Sequence, residues 1–147
     1  MHRVIKIFSI VSISLGLLVA ISSVGLCVEG NNPPQAPVPS DCTLLEAVMC
    51  EEVSAQSPKN QSTVFSIALG EISCFTLFGS VSKETVVYHY WFRRDTLIKR
   101  IQLHLNPPRW RTFSSIELRE ADKGPWRVEI RDRNGIVMEI LRFSITD

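Results

Sequence analysis

The clearest pattern in the chain is a two-residue alternation near its C-terminus. Trp126, Val128 and Ile130 alternate with Arg127, Glu129 and Arg131. Strand side chains point to opposite faces in turn, so this run reads as a half-buried β-strand. Asn134-Gly135 follows, a pair suited to the two positive-φ positions of a type I′ turn. A two-residue turn there sets Trp126 opposite Phe143 and Val128 opposite Leu141 on one face, with Arg127 opposite Arg142 on the other. Glu129 is placed to relieve the repulsion between the arginines.

The same reading extends upstream. Thr85–Arg93 and Leu97–Leu105 flank Arg94-Asp95-Thr96 as a hairpin, with Ile101, Leu103 and Leu105 facing one way and Arg100, Gln102 and His104 the other. Asn106-Pro107-Pro108 ends it, and Thr112–Leu118 is a further strand. Val64–Leu69 and Glu71–Phe78 are short, β-branched and aromatic, divided by Gly70 and closed by Gly79. Thr43–Val53 admits a helix or a strand. The β character of all that follows favours a strand, broken by Ser57-Pro58-Lys59-Asn60. Seven or eight short strands with frequent turns predict an all-β fold, a β-sandwich or small barrel, and the reading taken is a small antiparallel β-sandwich of immunoglobulin-like architecture. The Cys…Trp…Cys pattern of antibody domains is missing, since no cysteine follows Trp91.

The N-terminus follows a different pattern. Arg3 and Lys6 precede Ile7–Val28, which holds no charged residue. A basic start before an apolar run is the layout of a signal peptide or membrane anchor, here residues 1–28. Five serines dilute the run, and Ser23 and Gly25 are suitably small for a cut after Gly25, which favours cleavage over a retained span. Leu26 before Cys27 argues against lipidation. Residues 29–42, rich in Pro and Asn, read as a linker, and 43–147 as the β domain.

Composition and charge add two constraints. The chain of 147 residues has a net charge of +1, within one-domain size. Glu29–Ser82 carries one base against six acids, and Lys83–Asp147 thirteen bases against nine acids. With the N-terminal segment removed, the balance is near neutral, which together with export sets nucleic acid aside. Export also brings the four cysteines into play, because disulfides persist in an oxidising compartment. Cys50–Cys74 is the favoured pair because both flank strands, with Cys42–Cys50 as the alternative.

His89-Tyr90-Trp91-Phe92-Arg93, Arg109-Trp110-Arg111-Thr112-Phe113-Ser114-Ser115, Gly124-Pro125-Trp126-Arg127-Val128, Gly135 and Phe143-Ser144-Ile145 occur in that order. In these motifs the chain resembles a bacterial family, the domain of unknown function 2914. The resemblance is strongest over Val86–Ile145 and reaches back more loosely to Cys50 and Cys74-Phe75-Thr76. It implies an exported or membrane-anchored protein with a C-terminal tryptophan-rich β domain, and it implies no activity. Where the family leads one to expect Asp-Gly or Asn-Gly in the first hairpin, this chain has Arg94-Asp95-Thr96.

Catalytic motifs are absent from the sequence: there is no Gly-x-Ser-x-Gly elbow and no phosphate-cradling glycine loop. Nothing in the spacing of Ser114, His89 and Asp122 argues for a triad. His89 and His104 with a cysteine are the only metal-ligand set to weigh. His104 falls on a polar strand face, while His89 shares its face with Trp91 as a partly buried residue, so no metal or other cofactor is expected. Arg109-Trp110-Arg111 after the Pro-Pro break is the leading binding candidate, because arginine forks match carboxylates and phosphates and a tryptophan adds stacking. Ser114, His89 and Trp91 complete the candidate set. The competing reading has Trp110 or Phe113 plugging the sandwich while the arginines pair with Glu117 or Glu120. The expectation is a non-enzymatic module that binds a protein or glycan partner at the cell envelope, periplasmic or held to the inner membrane if its N-terminal segment stays uncleaved. The alternatives are a ligand-free structural domain or a small hydrolase or metal protein.

Overall fold

The computed structural model describes residues 40–147. The expected signal or anchor and nearly all of the expected linker lie outside them. Among the described residues nine strands form two sheets. The first has the order β2 (Ser57–Gln61), β1 (Thr43–Ser54), β4 (Glu71–Gly79), β7 (Trp110–Glu117). The second has the order β3 (Val64–Ser66), β9 (Val137–Thr146), β8 (Gly124–Arg131), β5 (Thr85–Arg93), β6 (Thr96–Leu105). All pairings are antiparallel except β3 with β9. The all-β sandwich expected from the sequence is the fold found, with Thr43–Ser54 as a strand.

The core lies between the sheets and centres on Phe143. Its ring stacks on Trp126 at 6.2 Å and meets Trp91 and Phe65 edge-on at 6.1 Å each. Such offset and edge-on geometries suit the charge distribution of aromatic rings. Phe143 reaches this position through the predicted register. Trp126 sits opposite Phe143, Arg127 opposite Arg142 and Val128 opposite Leu141. Glu129 Oε1 accepts from Arg127 Nε at 2.9 Å, in keeping with its expected role.

The turn itself differs from expectation. Only Gly135 has positive φ there; Asn134 does not. The Gly135 N–H donates to the Asp132 carbonyl, and the Asp132 carboxylate accepts from the N–H groups of Asn134 and Ile136. The connection is therefore a longer, Asp-capped turn. A bulge between Ile130 and Arg131 absorbs the extra residue and returns the strands to the predicted register. The turn with two positive-φ residues lies elsewhere, at Ala55 (48°) and Gln56 (56°). It folds Ser57–Gln61 back onto β1, so the segment expected to break the chain is an edge strand. Arg94, at φ 52°, opens the tight β5–β6 turn in place of the expected glycine-containing pair. Val64–Leu69 is a strand only to Ser66 and continues as a single 3-10 turn.

Two further expectations are corrected. The linker does not run to residue 42. Asp41 is held by Lys83 (3.4 Å) and Arg133 (3.1 Å), and Cys42 is buried in the core. Cys42, Cys50 and Cys74 are all free and buried. The favoured Cys50–Cys74 bridge fails on parity. Cys50 lies opposite Ser73, whereas Met49 lies opposite Cys74. Neighbouring positions point to opposite faces, so Cys74 faces the main core and Cys50 packs with Phe75 and Leu77 on the other side. Burial raises the pKa of all three thiols, which slows thiolate chemistry. Alkylation of the denatured, unreduced protein is expected to label Cys42, Cys50 and Cys74 completely. A crosslinked Cys50–Cys74 peptide in the mass spectrum is the contrary result.

Candidate functional site

Strand parity sorts the candidate residues into two groups. β5 directs Val87, His89 and Trp91 into the sandwich, and all three are fully buried. From the opposing sheet, β4 directs Thr76 inward and β7 directs Ser114 inward. The three predicted residues His89, Trp91 and Ser114 therefore meet, joined by Thr76, which the sequence did not single out.

Their hydrogen bonds form a continuous path. Trp91 Nε1 donates to Ser114 Oγ at 3.0 Å. Ser114 Oγ lies 2.8 Å from His89 Nδ1, and His89 Nε2 lies 3.4 Å from Thr76 Oγ1. Thr76 Oγ1 donates to the Thr112 carbonyl at 3.3 Å. The two ends dictate the direction of every proton. An indole N–H can only donate and a carbonyl can only accept. Ser114 therefore passes its proton toward Nδ1, the imidazole carries its proton on Nε2, and Thr76 accepts from Nε2. Each buried polar group in the path is then satisfied.

Ser114 and His89 have the separation of an activated nucleophile and its base. Their surroundings work against that use. His89 is 0% exposed and Ser114 is 4% exposed. Burial lowers the His89 pKa to about 3, which makes the ring a weak base. Nε2 faces a threonine, where a triad would place an orienting acid. Asp122 is engaged elsewhere, with Arg93 at 3.7 Å. What the arrangement does chemically is tie β5 of one sheet to β4 and β7 of the other. His104 projects with Gln102 from the opposite face of its sheet, so the two histidines do not converge.

The Arg109-Trp110-Arg111 segment lies at the corner where the chain passes from β6 to β7. Trp110 is half-buried against the core, and so acts as the plug the competing reading described. The arginines do not complete that reading. Arg109 and Arg111 are exposed, and neither enters an ion pair with any described residue. Glu120 pairs instead with Lys123. Phe113 points outward and is 47% exposed. Trp110, Arg111, Phe113, Phe75 and His104 contribute to a cavity of about 380 Å³ at this corner.

A second surface escaped the sequence reading. The outward row of β5 is Tyr88, Tyr90 and Phe92, and each ring carries an arginine over its face. Arg100 lies 5.3 Å from the Tyr88 centroid, Arg131 4.6 Å from Tyr90 and Arg127 4.1 Å from Phe92. Glu129 bonds to both Arg127 and Arg131 and is nearly buried beneath them. Those two arginines hold its carboxyl pKa below the ordinary value despite burial, which raises it. The alternation of aromatic and apolar residues along β5 was the available signal. The arginines come from other strands, so their stacking is a product of register.

Residues 84–145 match the model of a family described as "Protein of unknown function (DUF2914)". The match spans β5–β9 and includes His89, Trp91, Arg109, Trp110, Arg111 and Ser114, but not Thr76. No curated protein matches the chain.

Two outcomes follow for the buried path. Ser114→Ala leaves the Trp91 N–H and His89 Nδ1 without a partner and is expected to cost about 2 kcal/mol in denaturant unfolding. A loss under about 0.5 kcal/mol contradicts the path. The unfolded His89 titrates near its ordinary 6.5 and the folded one near 3, so acid protonates the unfolded form first. Its contribution is fully present above pH 6.5 and is lost as pH falls toward 3, at about 1.4 kcal/mol per pH unit. His89→Gln, if folded, is expected to flatten the stability slope between pH 6.5 and 5.

Proposed function

Residues 84–145 match the DUF2914 family, and we propose that this chain is a non-enzymatic binding module exported to the cell envelope. In this reading it is periplasmic, or held to the inner membrane by an uncleaved N-terminal segment, and it binds a protein or glycan partner. Export rests on Arg3 and Lys6 ahead of the uncharged Ile7–Val28 run. Binding rests on one observation above the others. Arg109 and Arg111 are exposed and lack an ion-pair partner among the described residues, beside an aromatic cavity. Guanidinium groups with no internal carboxylate have their forks available for an external carboxylate or phosphate. Trp110 packs on the core and fixes the corner that carries them. Non-enzymatic action rests on the enclosure of the Ser114–His89 pair, which gives a substrate no path to the hydroxyl.

The test is affinity capture from the envelope fraction with the Arg109→Ala/Arg111→Ala double variant. Both side chains are exposed, so the thermal midpoint is expected to stay within about 2 °C of wild type. Capture of the partner, identified by crosslinking and mass spectrometry, is expected to fall at least about tenfold, the scale of one lost charge-assisted contact. Undiminished capture by a folded double variant contradicts the assignment of the corner.

A further inference from the structure

The backbone of β7 carries information that its side chains do not. Among the described residues β7 pairs only with β4, so its other edge carries no strand there. Three other strands end the two sheets, and each is blunted. β2 contains Pro58 and Lys59, β3 is three residues long, and β6 carries Lys99 and Arg100 in mid-strand. Short edges, prolines and lysines are the usual guards against strand addition. β7 runs for eight residues, Trp110–Glu117, with no proline, no charge in mid-strand and no bulge in its pairing; its charges, Arg111 and Glu117, lie toward its two ends.

The parity of the free edge can be derived. The Leu118 N–H donates to the Gly70 carbonyl at 2.8 Å, and this pair continues the β4–β7 register. Hydrogen-bonded pairs alternate along an antiparallel ladder. Trp110, Thr112, Ser114 and Ile116 therefore bond to β4, while Arg111, Phe113, Ser115 and Glu117 direct N–H and C=O away from it. These last four also carry the outward side chains, and three of them are exposed.

We propose that this edge accepts an added strand, an extended peptide segment running antiparallel to β7. The proposal rests on the binding reading of the same corner and names the partner class. Charge complementarity sets the direction. Arg111, opposite Leu77, has no ion-pair partner among the described residues and stands at one end of the free edge. At the other end Glu117 lies directly opposite Glu71, and neither enters an ion pair among the described residues. Like charges directly opposite destabilise a sheet, and a base beside them relieves the repulsion. The added strand thus carries a basic residue opposite Glu117 and an acidic one opposite Arg111. Residues 106–109 close the sandwich at the Trp110 end, and a cavity of about 420 Å³ opens at the Glu117 end. Ile98, Ile116 and Trp126 line that cavity together with Lys99, Arg119 and Asp122, and the exposed Ile98 gives an inward side chain of the peptide an apolar contact.

The probe is the end-blocked heptapeptide Lys-Val-Thr-Val-Phe-Val-Glu, tested against its charge-swapped form Glu-Val-Thr-Val-Phe-Val-Lys. The first is expected to bind the full chain at least about tenfold tighter, because two cross-strand charge pairs reverse sign in the second. Phe113→Pro and Phe113→Ala both remove the ring, but only proline removes the outward N–H. Phe113→Pro is expected to bind at least about tenfold more weakly than Phe113→Ala. Equal affinity for the two peptides, or for the two variants, overturns strand addition. If Phe113→Pro fails to fold, hydrogen exchange on the wild type decides. The amides of Phe113 and Ser115 are expected to slow at least about tenfold with peptide, and unchanged exchange overturns the proposal. Envelope capture that depends on Arg109 and Arg111, with no protection of these amides, overturns strand addition alone and leaves the corner-binding reading intact.

Discussion

The hydrogen-bonded path from Trp91 through Ser114, His89 and Thr76 to the Thr112 carbonyl is the contact on which the arrangement of the two sheets depends. The apolar core supplies most of the driving force, but apolar contacts tolerate small slides. A buried donor or acceptor does not, because leaving it unpaired costs about 1–3 kcal/mol. The path joins β5 to both β4 and β7. A one-residue slip in any of these strands would replace a member with its outward neighbour, Tyr90 for His89 or Phe113 for Ser114. The interior would then hold unmatched polar groups and lose the aromatic packing around Phe143.

The same parity organises the outside. With Ser114 held inward, Arg111 and Phe113 must face out, and the free backbone groups of β7 fall on those positions. With His89 held inward, Tyr88, Tyr90 and Phe92 form the outward row that meets Arg100, Arg131 and Arg127. The interior network and the candidate binding surface are thus two faces of one register. Ser114, singled out as a binding residue, belongs to the first and supports the second.

How much of this was legible in the sequence depended on whether two local signals agreed. The β8–β9 register was readable because alternation from Trp126 to Ile130 and a turn centred on Asn134-Gly135 pointed the same way. The turn type was misread, since Asp132 caps a longer loop and the bulge at Ile130 hides the difference. β2 was illegible because Ser57–Gln61 has almost no apolar character and its turn uses Ala55 and Gln56, residues that rarely advertise positive φ. The Cys50–Cys74 pairing failed because strand proximity does not give parity. For the site, the shared face of His89 and Trp91 followed from alternation. The arrival of Ser114 and Thr76 from the other sheet did not, because contacts between layers leave no local pattern. The arginine stacking on β5 was hidden for the same reason.

The most direct test of the network is the protonation of one ring. Nitrogen-15 spectra of imidazole-labelled protein are expected to show His89 as a neutral ring with its proton on Nε2. That state should persist from neutral pH down to at least pH 5, well above the folded pKa of about 3. A ring with its proton on Nδ1, or one that titrates near the ordinary 6.5, would contradict the proton order and with it the claim that this path joins the sheets.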